Sequence, residues 1–264
     1  MNPPFDTVEA RSIFLESHPP HRKIISAIRD GGWRAAAFCA MLYTLSRGRS
    51  WWYDLTHGVS TRRKIPFAKL DLKGEAALHA ISYEASDPNC LRKMLLSLGI
   101  EHEKFEFVDL GAGKGRSLLV AAEFPFRRIL GSELSPMLSE TARRNCKAFR
   151  NRKLACQDFE VVCGDAAEFC FPKAPLVIYL FNPFGGLILS RILNNLEQSW
   201  EEQPRDVFVV YHHPVHSHLI ERSRLFELFH SGMDKWDYRK LRYKVYRAEP
   251  SGERRLRNGT VRSE

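Results

Sequence analysis

The segment from Phe107 to Ser117 constrains the fold of this chain more than any other. An apolar run, Phe105 to Leu110, leads directly into glycines that alternate with other residues, and a helical pattern follows from Arg116 to Phe124. Glycines let the backbone turn sharply and approach a ligand closely. A strand, a glycine turn and a helix in this order predict a nucleotide-like ligand at the carboxyl end of the first strand of an open α/β sheet.

The spacing of the glycines separates three kinds of nucleotide site. A phosphate-binding loop needs GxxxxGK followed by Ser or Thr, and this spacing is absent here. The dinucleotide fingerprint GxGxxG has its third glycine where this chain has Arg116, and no hydride-transfer site is recognisable, so an NAD-dependent oxidoreductase is disfavoured. The pattern that remains is GxGxG, with Asp109 two residues before its first glycine.

Strands and helices alternate after Gly99. Apolar runs predict further strands, and periodic segments predict helices between them. The predicted strands after the first are 129–133, 159–163, 176–181 and 207–211; the predicted helices are 136–149, 187–200 and 217–230; residues 236–247 are predicted as two short strands or a hairpin. This alternation predicts an α/β fold, a doubly wound and mostly parallel sheet of the seven-strand Rossmann-like type, with an N-terminal helical extension.

The segment from Asp109 to Gly115 resembles motif I of the class I S-adenosylmethionine (SAM)-dependent methyltransferases. Three later signals occur in the family's order, each at a strand's carboxyl end: Glu133, Gly164-Asp165-Ala166 and Asn182. The resemblance implies SAM as the cofactor, with Glu133 accepting hydrogen bonds from the ribose hydroxyls and Asp165 accepting one from the adenine amine. The residues expected to contact the cofactor are Asp109, Gly111, Ala112, Gly113, Gly115, Glu133, Asp165, Ala166 and Asn182.

The end of the fourth predicted strand bears on the methyl acceptor. Asn182-Pro183-Phe184 resembles the Asn/Asp-Pro-Pro-aromatic signature of amino-group methyltransferases, but it departs from it because Phe184 replaces the second proline. A second resemblance is to lysine methyltransferases of the telomeric-silencing class, in which Tyr83 would belong to a segment that covers the donor. Asn182, Phe184 and Tyr83 are the expected catalytic residues. A nitrogen acceptor is expected, either a protein lysine or a nucleic-acid amine.

The overall charge leaves the partner open. Forty Lys and Arg residues face thirty-one Asp and Glu residues, a net charge of +9, which suits nucleic acid, anionic membranes or acidic proteins without choosing among them. A non-catalytic methyltransferase fold that binds RNA or protein is the alternative to an enzyme. The six cysteines form no CxxC pair, so we expect a cytoplasmic protein without a disulfide framework or a zinc module. The longest apolar run, Trp33 to Leu45, contains Arg34 and is shorter than a membrane span requires, so no stable membrane insertion is expected. The sequence leaves the oligomeric state open.

The chain is expected to divide into three regions. Residues 1–99 form an arm and a helical region that contributes to the acceptor cleft, 100–248 form the SAM-binding core, and 249–264 form a basic tail expected to be disordered. Trp33 to Leu45 is predicted as a buried helix. Core packing or a lid is expected for Trp33, Trp51, Trp52 and Tyr53, with nucleobase stacking or a membrane interface as alternatives.

Four histidines follow the fifth predicted strand, namely His212, His213, His216 and His218. Imidazoles bind metals well, but neighbouring strand residues point in opposite directions, and no metal site is expected here. Two interpretations remain: the histidines line the acceptor pocket, or they are exposed loop residues.

Overall fold

A computed structural model describes residues 20–63, 65, 85–149, 154–182, 184–234 and 241–250. Six α-helices occur in these ranges: α1 Pro20–His57, α2 Pro88–Leu96, α3 Arg116–Ala121, α4 Pro136–Ala148, α5 Gly186–Glu202 and α6 Ser217–Arg222. Among the residues described, no helix combines the length and the hydropathy that a membrane crossing requires. The basic tail beyond Pro250 lies outside these ranges.

Seven strands form one sheet. They are β1 Glu106–Leu110, β2 Arg128–Glu133, β3 Phe159–Cys163, β4 Leu176–Phe181, β5 Val207–His212, β6 Glu227–Met233 and β7 Arg242–Ala248. The strand order is β3-β2-β1-β4-β5-β7-β6. The first five strands are parallel, and β7 runs antiparallel between β5 and β6. The order in which strands are added switches at β1: β2 and β3 lie on one side of it, and β4 and β5 lie on the other. The connecting helices pack on both faces of the sheet, and this arrangement confirms the predicted doubly wound fold.

The hydrophobic core lies on both faces of this sheet. On one face Phe107 and Tyr179 pack with α2, α3 and α4 through residues such as Leu91 and Leu118. On the other face Val108 packs with α5. Because β1, β4 and β5 are buried on both sides, their sequences are mostly apolar rather than alternating. These central strands carry the candidate site at their carboxyl ends.

The prediction of a single helix over residues 217–230 is wrong beyond Arg222. Helix α6 stops there, and residues Glu227–Met233 form the edge strand β6 instead, paired with β7. The pattern misled because β6 is largely exposed and carries little apolar alternation, so its pairing with β7 decides its structure. The predicted hairpin at 236–247 corresponds in part to β7, and residues 235–240 lie outside the described residues.

The prediction that Trp33 to Leu45 forms a buried helix is also wrong. The helix is present, with a break at Gly32 where φ is 69°, but Trp33 is 79% exposed and Leu45 is 48% exposed. Its buried positions are Ala36 and Leu42. Most of the apolar side chains of this segment therefore face away from the protein core.

Replacement of Gly131 in β2 by alanine is expected to lower the free energy of unfolding by about 1–3 kcal/mol through overpacking. A Cβ at Gly131 would lie 2.9 Å from Leu118 Cδ1 and 3.0 Å from Ala112 Cβ, so the Leu118 side chain and the backbone at Ala112 must shift. Gly48→Ala in α1 is the control, because a Cβ there meets no atom within 4 Å and alanine favours helix. Urea unfolding of both variants measures this, and equal stabilities would contradict the close approach.

Candidate cofactor and acceptor site

The glycine turn after β1, residues 111–115, is hydrogen-bonded to the end of β2. The backbone N–H groups of Gly111 and Ala112 donate to the carbonyl oxygen of Ser132 at 2.8 and 2.9 Å, and the N–H of Gly113 donates to Glu133 Oε2 at 2.8 Å. Three successive N–H groups therefore have acceptors within the protein. A phosphate-binding loop instead directs such groups at its ligand.

The glycines of this turn are required by its conformation. Gly111, Gly113 and Gly115 all have positive φ, at 88°, 57° and 82°. At Gly115 a side chain would also have little space, since its Cβ would lie 3.2 Å from Ala142 Cβ in helix α4. The turn is thus held between β2 and α4, and its shape depends on glycine at this position.

Glu133 is the acidic group that joins the turn to the second strand. Glu133 is the last residue of β2 and is 8% exposed. Oε2 accepts from Gly113 and Oε1 accepts from the backbone N–H of Ser135 at 2.8 Å. Burial raises the pKa of this carboxyl, and the donated N–H groups oppose that rise. A carboxylate has about four lone-pair sites, so Glu133 can accept a further hydrogen bond beside those from the backbone N–H groups of Gly113, Ser135 and Leu134.

Asp109 is a second buried carboxyl, on β1. Its residue is 3% exposed, and it accepts a hydrogen bond from the Ser117 hydroxyl in helix α3. Burial raises the pKa of Asp109 to about 7; the hydrogen bond from Ser117 lowers it, and the charge of Glu133 raises it. Asp109 therefore changes charge near neutral pH, within the framework of the glycine turn.

The Asp109→Asn variant is expected to lose part of the pH dependence of folding. Between the ordinary Asp pKa of 3.8 and the folded value of about 7, the folded state holds a proton that the unfolded state has released. Stability therefore falls as pH rises through this window, by at most about 1.4 kcal/mol per pH unit, and is flat above it. Urea unfolding from pH 5 to 8 measures the slope. An unchanged slope in Asp109→Asn would contradict this assignment.

The turn after β3 lies against the end of β2. The N–H of Gly164 donates to the Glu133 carbonyl oxygen at 3.1 Å. Asp165 caps the short turn Ala166–Glu168, and its Oδ1 accepts from the N–H of Ala167 at 2.9 Å. Ala166 is buried. The structure thus brings the predicted adenine-contacting turn next to Glu133, and Asp165 keeps a second oxygen for a ligand.

Asn182 follows β4 in a conformation that is unusual for a residue with a side chain. Its φ is 39° and it is 7% exposed. The Tyr211 hydroxyl donates to Asn182 Oδ1 at 3.2 Å, which fixes the orientation of the amide. Phe184 is half-buried and packs against the core on the α5 side. Tyr83, the third predicted catalytic residue, lies outside the described residues, as does Pro183.

A buried polar chain beside Asn182 was missed by the sequence reasoning. The Tyr179 hydroxyl lies 2.8 Å from Ser86 Oγ and 3.1 Å from His212 Nδ1. The ring of His212 stacks on Phe181, with centroids 4.5 Å apart. The signal available in the sequence was a tyrosine inside the otherwise apolar strand 176–181, since a buried hydroxyl needs a partner.

The histidines after β5 do not share one environment. His212 and His216 are 1% and 2% exposed, so the interpretation of all four as exposed loop residues is wrong for these two. The N–H of His216 lies 3.4 Å from the Tyr211 hydroxyl. His213 has a φ of 57°, and it directly follows β5 as Asn182 follows β4. Within the described residues, no group of His, Cys, Asp and Glu side chains forms a metal-binding cluster.

Helix α1 is fastened to the glycine turn by a buried ion pair. Arg116, which begins α3, is 2% exposed and donates to Asp54 Oδ1 at 3.0 Å and to Thr61 Oγ1 at 2.6 Å. Asp54 Oδ2 also accepts from the backbone N–H groups of Thr61 and Arg62. Lys114, inside the glycine turn, donates to the Arg63 carbonyl oxygen at 2.8 Å. Arg116 stands where a dinucleotide fingerprint has its third glycine, and its bonds to Asp54 and Thr61 were not predicted from the sequence.

The chain matches no family model and no curated protein sequence. Solved structures with a similar fold include an RNA methyltransferase from Salinibacter ruber in complex with S-adenosyl-L-homocysteine (21% identity, TM-score 0.45, covering 63% of this chain and 94% of that one). TrmN from Thermus thermophilus shares 19% identity (TM-score 0.46, 69% and 52% covered). Magnesium protoporphyrin IX methyltransferase from Synechocystis, with bound SAM, shares 12% (TM-score 0.46, 61% and 79% covered).

These likenesses are low in sequence identity, and the strand order carries the assignment of the fold. Five parallel strands in the order β3-β2-β1-β4-β5 are followed by an antiparallel β7 between β5 and β6. The glycine turn follows β1, and the acidic residue Glu133 ends β2. This chain has an α/β Rossmann-like fold, with helices on both faces of a mostly parallel seven-stranded sheet.

Proposed function

We propose that this protein is a SAM-dependent methyltransferase. The observation that supports it most is the hydrogen bonding between the glycine turn and β2. Glu133 accepts a hydrogen bond from the N–H of Gly113 and retains lone-pair capacity for a further donor. This arrangement suits a ligand that presents ribose hydroxyls and carries no phosphate. SAM is such a ligand, and when bound it supplies a sulfonium methyl group that a nucleophile can displace.

The residues at the strand ends fit an adenosyl group. Glu133 would hold the ribose hydroxyls and Asp165 the adenine amine, with Ala166 beside it. Asp109, Gly111, Ala112, Gly113 and Gly115 would form the wall of the donor pocket, together with Asn182. NAD fits less well, because its pyrophosphate needs free N–H groups, whereas those of Gly111, Ala112 and Gly113 bond to protein oxygens.

Asn182 is the group we propose to orient the nucleophile. Tyr211 donates to its Oδ1, and a carbonyl oxygen has a second lone pair that can accept an N–H from an amine. An amine held in this way keeps its own lone pair available for the methyl group, and such alignment supplies much of the rate of an in-line displacement. A nitrogen acceptor, on a protein lysine or a nucleic-acid base, follows from this role; Phe184 and Tyr83 would shape its pocket.

We further propose that residues 1–99 act as a cap on the catalytic core of residues 100–248. Arg116 and Lys114 belong to the glycine turn and its helix, yet both bond to the segment that follows α1. Ser86, just before α2, bonds to Tyr179 of β4. Parts of the N-terminal region therefore contact both the glycine turn with its helix and strand β4.

A methyl-transfer assay tests this proposal. The protein is incubated with SAM labelled in its methyl group and with a cell extract, and portions are then treated with protease or with ribonuclease. Label that enters an acceptor and is released by one of the two treatments supports a macromolecular substrate. Asn182→Ala should lower incorporation by about 100-fold or more, whereas Asn194→Ala, exposed on α5, should not. Absence of label with every fraction would contradict the proposal.

A further inference from the structure

Helix α1 presents an apolar surface to solvent after its break at Gly32. Phe38, Met41 and Leu45 recur at spacings of three and four residues, which places them on one face of the helix. Trp52 and Leu55 lie on the same face about two helical turns further along. We name this the outer face of α1; its exposed members are Trp33, Phe38, Met41, Leu45, Trp51, Trp52 and Leu55.

The outer face is distinct from the side of α1 that packs on the core. The buried residues of this part of the helix are Ala36, Leu42, Tyr53 and Asp54. Trp52 is 61% exposed and Leu55 is 58% exposed. Leaving several large apolar side chains in water is costly, and contiguous exposed apolar surface marks an interaction site.

The charged residues of the segment 33–63 are almost all positive. Residues 33–63 contain five arginines and a single acidic residue, Asp54. Asp54 is buried and paired with Arg116, so it does not offset the arginines at the surface. Arg34 and Arg47 on the helix, and Arg62 and Arg63 just after it, are exposed. The apolar surface is therefore bordered by positive charge.

We propose that the outer face of α1 binds the surface of an anionic lipid membrane, with the helix lying in the plane of the interface. A helix with Trp, Phe and Leu on one face and arginines beside it binds such surfaces through apolar burial together with attraction to acidic headgroups. Tryptophan favours the level of the headgroups. A second copy of the chain would bring arginines together, and RNA would leave Leu45 and Leu55 without apolar partners.

Vesicle sedimentation of the full chain tests this proposal. Vesicles of phosphatidylcholine mixed with phosphatidylglycerol should bind the protein, and vesicles of phosphatidylcholine alone should bind it much less. The double variant Trp52→Ser/Leu55→Ser should bind the mixed vesicles more than about tenfold less tightly. Leu228→Ser is the matched control, because Leu228 is 53% exposed on β6, at the far edge of the sheet, and its binding should be unchanged.

Other outcomes would overturn the proposal. They are equal binding to both kinds of vesicle, equal binding by the double variant, or binding of RNA without binding of vesicles. A dimer in light scattering that the double variant dissociates, with no vesicle binding, would identify a second copy as the occupant. Thermal unfolding checks that the variants fold, and Phe38→Ser/Leu45→Ser provides a second pair on the same face.

Discussion

The Arg116→Met variant is expected to lose about 3–5 kcal/mol of the free energy of unfolding, because it leaves the Asp54 carboxylate buried without its cation. Arg116 also donates to Thr61 and to Ser50 Oγ, at 2.6 and 2.5 Å, and its guanidinium lies over the ring of Tyr53, 5.3 Å from the centroid. Chemical denaturation of the purified variant measures the loss.

Two further variants define the origin of this loss. Arg128→Met removes an arginine from an ion pair with Glu160 whose side chains are 39% and 45% exposed, and it should cost less than about 1 kcal/mol. Asp54→Asn combined with Arg116→Met should cost less than the sum of the single changes, since the two groups are paired. Additive costs, or a small effect of Arg116→Met, would contradict a buried pair that joins α1 to the glycine turn.

The Glu133→Gln variant is expected to bind SAM about 5- to 150-fold more weakly, equivalent to about 1–3 kcal/mol. One carboxylate oxygen becomes an NH₂ group that faces a backbone N–H, of Gly113 or of Ser135, so a buried donor loses its acceptor. The amide also accepts fewer hydrogen bonds from the ribose. Isothermal titration with SAM measures the change.

Glu168→Gln is the control for loss of a nearby negative charge. Glu168 belongs to the turn after β3 and is exposed, so its replacement should leave the affinity for SAM unchanged. Circular dichroism checks that both variants are folded. If folded Glu133→Gln bound SAM as tightly as the parent protein, the assignment of Glu133 to the ribose would be wrong.

Local signals predicted the central part of the sheet well. The strands β3 and β4 occur at the predicted positions. Strand β4 is buried and apolar along its length, as is typical of a central parallel strand, whereas β3 is a largely exposed edge strand. The turn after β1 was predictable since its conformation requires glycines at fixed spacing. The edge strand β6 was not predictable, because it is largely exposed and carries little apolar alternation, so that its structure depends on pairing with β7.

The candidate site also combines positions that local sequence patterns predict with contacts that they do not predict. The positions of Glu133 and Asp165 follow from strand ends and turns, which the sequence marks locally. The bonds of Arg116 to Asp54 and of Ser86 to Tyr179 join residues 62 and 93 positions apart, and no local pattern indicates such pairs. The outer face of α1 was mistaken for core because periodicity reveals an apolar face without indicating what covers it.

Calorimetric titration of the wild-type protein with SAM, S-adenosylhomocysteine and NAD tests the central claim most directly. We predict binding of both adenosyl ligands, with dissociation constants on the order of micromolar, and no binding of NAD, because the N–H groups of the glycine turn are bonded within the protein. Binding of NAD, or no binding of either adenosyl ligand by a folded sample, would contradict the proposed function and favour a protein that uses this fold to bind RNA or protein without catalysis.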